Sequence, residues 1–165
     1  MSDEATQQAL VERLAAALRA RGSFVATAES CTGGLIAAAC TSLAGSSEWF
    51  ERGFVTYSNE AKTGMLGVAP ALIAAHGAVC AEVACAMAEG AIVHSRASFA
   101  VSVTGVAGPG GGSVDKPVGT VWIAVAKAGS PARAERRLFD GDRTKIREAT
   151  VVAALQCVIA QVLEG

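Results

Sequence analysis

The stretch that most restricts the fold is Thr27-Ala28-Glu29-Ser30-Cys31-Thr32-Gly33-Gly34. It follows an apolar run, Phe24-Val25-Ala26, that reads as a buried strand bounded by Gly22-Ser23. It precedes Leu35-Ile36-Ala37-Ala38-Ala39, which reads as a tightly packed helix. Gly33 and Gly34, having no Cβ, let another backbone or a ligand come close to this strand-to-helix corner. The first amides of the following helix lack intrahelical partners, so they are expected to point outward as donors to an anion or a developing oxyanion. Ser30 stands at the corner, where a hydroxyl can be held near such donors. A helix N-cap is the commoner employment of Ser30 or Thr32 in such a place.

What the core can be made of follows from composition. At 165 residues the chain suits one domain, 1–165; 52% of it is hydrophobic but only 5% aromatic, with 18 glycines. Such a core must be Ala, Val, Leu and Ile, with helices lying close on a sheet. A net charge of −1 argues against a nonspecific nucleic-acid surface. The uninterrupted apolar runs fall short of a membrane span, and Met1-Ser2-Asp3-Glu4 is acidic where a signal peptide is basic. A soluble, cytoplasmic protein is expected, with no nucleic-acid or membrane partner. The five cysteines, Cys31, Cys40, Cys80, Cys85 and Cys157, form no CxxC pair. They read as reduced thiols, mostly in the core, and no metal site or cofactor is expected.

Along the chain, residues 3–21 read as an amphipathic helix ended by Gly22. Gly53 to Tyr57 reads as a second strand, and Ser58-Asn59 caps a short helix through Leu66. Pro70 to His76 suggests another short helix, closed by Gly77. Residues 81–95 make a longer one. A third strand, 98–103, runs into Thr104-Gly-Val-Ala-Gly-Pro-Gly-Gly-Gly-Ser113, a loop too glycine-rich for any regular element and able to wrap a ligand with its amides. Residues 118–127 and 133–139 read as a hairpin turned by Ala128-Gly129-Ser130-Pro131. Asp142 caps a last helix through Leu163, with Ile146, Ala149, Ala153, Cys157 and Ala160 expected inward. This order implies α/β architecture: three layers, α/β/α, around a mixed central sheet.

In such sheets ligands bind beyond the carboxyl ends of the strands. Ser30, Tyr57 and Thr104 each follow a predicted strand, Lys62 lies about a turn into the next helix, and Arg143 opens the last one. Neither His76 nor His94 follows a strand end, which disfavours a Ser-His-acid triad. Neither glycine stretch carries the lysine of a phosphate-binding P-loop. A serine activated by a lysine of lowered pKa is the remaining chemistry, with Tyr57 and Thr104 as supports and free amides near Ser30 for the oxyanion. Bland readings stand beside each: Lys62 as an exposed helix lysine, Tyr57 as a strand aromatic, Arg143 as a partner of Glu148 or Asp142.

Thr27-Ala-Glu-Ser-Cys-Thr-Gly-Gly34, Tyr57-Ser-Asn-Glu-Ala-Lys62, Val103-Thr-Gly-Val-Ala-Gly-Pro-Gly-Gly-Gly112, Lys116-Pro-Val-Gly-Thr120 and Gly141-Asp-Arg143 together resemble the CinA C-terminal domain family, in its single-domain form. The family includes stand-alone nicotinamide-nucleotide amidases. The resemblance implies hydrolysis of the carboxamide of nicotinamide mononucleotide to nicotinate mononucleotide and ammonia. It implies Ser30 as nucleophile and Lys62 as base, supported by Tyr57 and Thr104. Substrate binding is expected from Thr32, Gly33, Gly34, Gly105, Gly108, Gly110, Gly111 and Arg143. Cys80 departs from it, standing where a serine cap is expected. The alternative is a non-catalytic nucleotide-sensing or interaction domain of the competence or damage-inducible type. The alanine-rich apolar faces point to a homo-oligomer.

Overall fold

The computed structural model describes residues 3–165, with the side chain of Asp3 left aside. The elements run α1 (Asp3–Arg21), β1 (Val25–Glu29), α2 (Leu35–Thr41), β2 (Phe50–Val55), α3 (Asn59–Leu66), α4 (Pro70–His76), α5 (Ala81–Val93), β3 (Phe99–Gly105), β4 (Thr120–Lys127), β5 (Arg133–Leu138) and α6 (Arg143–Glu164). The sheet order is β2-β1-β3-β4-β5, with β2, β1 and β3 parallel and the β4–β5 hairpin antiparallel. The expected three-layer fold with a mixed sheet is present.

The central strands are buried on both faces, which is why β1 and β3 read as apolar runs rather than alternations. One core joins α1, α2 and α6 to the sheet through Leu14, Leu18, Ile36, Trp49, Val103, Ile123 and Leu155. The other joins α3, α4 and α5 to the opposite face through Leu66, Ile73, Val83, Met87, Ala100 and Ala124. Alanines there allow close approach: a Cβ on Gly90 of α5 would stand 2.1 Å from the Leu66 carbonyl oxygen of α3.

Several boundaries differ from expectation. β1 continues through Thr27, Ala28 and Glu29, two of them polar, because all three pair with β2 and β3 on both sides. β2 starts at Phe50 and ends at Val55, so Tyr57 lies beyond it, 60% exposed. β3 carries Thr104 inside its last rungs. On α6, Ile146 and Ala153 are buried as expected, together with Thr150, Val151, Ala154, Leu155, Val158, Ile159 and Val162; Ala160 is exposed and Ala149 and Cys157 are half-buried. Among the described residues α6 is also long and apolar enough to cross a membrane, half of that stretch being buried against the rest of the fold. Ser58 and Asp142 cap α3 and α6 as expected, accepting from Ala61 N and Lys145 N. Cys80 takes the cap of α5 with its sulfur, 3.4 Å from Val83 N.

Candidate active site

The parallel strands β2, β1 and β3 end side by side, and a crevice of about 300 Å³ opens beyond them. Ser30, Tyr57, Lys62, Thr104, Gly105, Gly108, Gly110, Gly111 and Arg143 all line it, so the five polar side chains expected at this edge share one crevice. Its other walls are Cys31, Asn59, Ala78, Val79, Val106 and Ala107.

Lys62 is the best-defined member. It is 1% exposed, on the inner side of α3, and its Nζ stands 3.0 Å from Ser30 Oγ, 3.1 Å from Thr56 O and 3.2 Å from Tyr57 O. None of these partners is charged. Burial without a counterion disfavours the ammonium and lowers its pKa, against a smaller opposing influence from the Cys31 thiol. The amine has three acceptors around it, Ser30 Oγ, Thr56 O and Tyr57 O; were it neutral, two N–H groups could serve the carbonyls and its lone pair the Ser30 hydroxyl.

The corner behind Ser30 is held differently from expectation. Neither Ser30 nor Thr32 caps α2; the cap position is Gly34, at φ 105°. The buried Glu29 carboxylate does the capping instead. It accepts from Ile36 N at 2.8 Å and Thr32 Oγ1 at 2.7 Å through one oxygen, and from Ala37 N at 3.0 Å and Thr27 Oγ1 at 3.4 Å through the other. The first amides of α2 are therefore taken by the protein and do not await an oxyanion. Arg147 of α6 grips the same turn from its carbonyl side, donating to Cys31 O and Thr32 O. Thr32, Gly33 and Gly34 do not line the crevice; they build this corner. Ser30 N donates to Val103 O, which leaves Cys31 as the turn amide nearest the nucleophile on the crevice wall.

Sequence reasoning passed over Glu29 and Arg147. The only local hint was an acid seven and eight residues ahead of the first uncapped helix amides, Ile36 N and Ala37 N; Arg147 looked like one more polar residue of α6.

Arg143 is aimed, not loose. Its guanidinium donates to Gly108 O at 2.8 Å and Tyr57 Oη at 3.1 Å, so it ties β2's extension to the glycine loop and pairs with neither Glu148 nor Asp142. Thr104, 1% exposed, donates its hydroxyl proton to Ala78 O at 2.9 Å. Cys31 is a poor nucleophile here, because burial pushes its thiol up to about 11. Among the described residues no cluster of His, Cys, Asp or Glu is arranged to hold a metal.

Known proteins align with this chain over most or all of its length. The chain is 52% identical over 165 residues to the nicotinamide-nucleotide amidohydrolase PncC of Escherichia coli K12, covering all of this chain and 99% of that one. It is 57% identical over 146 residues to the protein of that name from Pseudomonas putida, covering 88% and 91%. The crystal structure of the competence/damage inducible protein CihA from Agrobacterium tumefaciens superimposes with a TM-score of 0.91 at 49% identity, over 94% of each chain. The model of the CinA C-terminal domain matches residues 7–162, and the chain belongs to that family.

Proposed function

We propose that this protein is an amidohydrolase that converts nicotinamide mononucleotide to nicotinate mononucleotide and ammonia, with Ser30 as nucleophile and neutral Lys62 as its base. The substrate class comes from the relatives named for that activity. The observation that carries the mechanism is the 3.0 Å contact between Ser30 Oγ and a buried lysine held by two carbonyls and no carboxylate.

Lys62 takes the Ser30 proton as Oγ adds to the carboxamide carbon. The oxyanion is received by the turn amide of Cys31, which lines the crevice beside Ser30. The new ammonium then protonates the departing nitrogen, and ammonia leaves an ester on Ser30. Water, deprotonated by the same amine, splits that ester and frees the carboxylate. Lys62 works as acid and base without a third charged residue, and burial, which lowers its pKa, favours the base role. Arg143 and the amides of Gly108, Gly110 and Gly111 bind the nucleotide's phosphate, the guanidinium supplying charge and the glycines close approach. Such a reaction belongs to pyridine-nucleotide salvage in the cytoplasm. Leu35 and Val55, exposed at the start of α2 and the end of β2, support a homo-oligomeric enzyme.

The test is ammonia release from nicotinamide mononucleotide by the parent chain, Ser30→Ala and Lys62→Ala. Release by the parent and loss of at least about 10³-fold in both variants, with unchanged circular dichroism, supports the reading. Activity surviving Ser30→Ala removes the nucleophile, and an inert parent favours a binding domain.

A further inference from the structure

Resting on that reading, we propose that Thr104 recognises the –NH₂ of the carboxamide and repels the carboxylate product, so that one hydroxyl both selects the substrate and helps expel what it becomes. A carbonyl can only accept, so in the 2.9 Å contact with Ala78 O the Thr104 hydroxyl must be the donor. Its single proton is spent there. What Thr104 turns to the crevice is lone pairs alone, so it cannot donate to a substrate carbonyl.

Its position matches that use. Glu29 pairs with Val103 as the last rung between β1 and β3, and Ser30 N donates to Val103 O. One residue further on, Ser30 and Thr104 stand beside each other at the ends of neighbouring strands, about 4.8 Å apart in such sheets. A carboxamide whose carbon lies against Ser30 Oγ and whose oxygen lies toward the turn amide of Cys31 turns its nitrogen toward Thr104. The –NH₂ has two protons to give and meets an acceptor. After hydrolysis the same position holds a carboxylate oxygen with none, and lone pairs face lone pairs. The surroundings sharpen the contrast, since Thr104 is 1% exposed and water cannot easily intervene.

The experiment compares the parent, Thr104→Val and Thr104→Ser on nicotinamide mononucleotide and on the methyl ester of nicotinate mononucleotide, with nicotinate mononucleotide as competitive inhibitor. Valine keeps the shape and loses the oxygen. Thr104→Val is expected to lower kcat/KM for the amide by roughly tenfold to a hundredfold, to change the ester rate by less than about threefold, and to tighten the product's inhibition constant by about tenfold. Thr104→Ser restores the parent pattern. Equal losses on amide and ester, or product binding that weakens in step with substrate binding, would show a merely structural threonine and overturn the proposal. A parent that releases no ammonia overturns the amidase reading itself, and the proposal with it, which separates the two failures.

Discussion

The two walls of the crevice are built on opposite plans. The Ser30 corner is held by bonds on every side: Glu29 gathers two helix amides and two hydroxyls, Arg147 grips two carbonyls, and Lys62 is fixed by three contacts. The facing loop, residues 106–112, has exposed glycines at its tip and is tied at its flanks, by Arg143 to Gly108 O and by Lys116 Nζ to the last carbonyl of α4, His76 O. Bond-making needs a nucleophile placed to a fraction of an ångström, whereas a phosphate needs amides that can close around it. On the first wall the buried ionisable groups meet uncharged partners: Glu29 accepts from two amides and two hydroxyls, and Lys62 stands among two carbonyls and a hydroxyl.

Removing the amine gives the sharpest break. Lys62→Met is expected to lower kcat by about 10³-fold or more while leaving KM within a few fold, measured by steady-state ammonia release. The same pair tests the protonation state. A lysine whose pKa is lower folded than unfolded binds fewer protons in the native state between those two values. The parent should therefore gain stability relative to Lys62→Met as pH rises through that window toward 10.5, and should lose activity as acid protonates the amine. A difference in urea midpoint that stays flat with pH would mean an amine of ordinary pKa.

Glu29→Gln comes next. Four donors converge on two carboxylate oxygens, and an amide replaces one oxygen by a donor that must face a backbone N–H. A stability loss of about 2 kcal/mol and a fall in kcat of about tenfold to a hundredfold are expected, with KM little changed. A large rise in KM with constant kcat would put Glu29 in binding instead. On the softer wall, Gly108 sits at φ 75°, and a Cβ there would stand 2.5 Å from Val118 Cγ1. Gly108→Ala should raise KM by about tenfold, with kcat nearly intact, since backbone strain of about 1–3 kcal/mol falls on the binding wall. Gly110 has open space around its Cβ position and an ordinary φ, so Gly110→Ala should move KM by less than about twofold. The smallest effect belongs to Cys31. With its thiol held near pKa 11, exposure to iodoacetamide at pH 7 should leave activity unchanged, and mass spectrometry should find Cys31 unmodified.

The strand–corner–helix at 24–39, the glycine loop, the hairpin and the helix caps at Ser58 and Asp142 were legible in the sequence because each depends on neighbours in the chain: apolar run length, missing Cβ atoms, a hydroxyl or carboxylate three residues before an amide. The convergence of Ser30, Tyr57, Lys62, Thr104 and Arg143 was legible too, since parallel strands bring their carboxyl ends to one edge. What the chain order could not state was the direction of each proton. That Glu29 rather than Ser30 or Thr32 caps α2, that Thr104 gives its proton to Ala78 O, and that Arg143 leaves its acidic neighbours for Gly108 and Tyr57 depend on contacts between residues 7 to 86 positions apart. Local sequence sets backbone path through dihedral preference and periodicity; hydrogen-bond polarity and the loss of water around Lys62 arise only when distant elements pack, and those decide the chemistry.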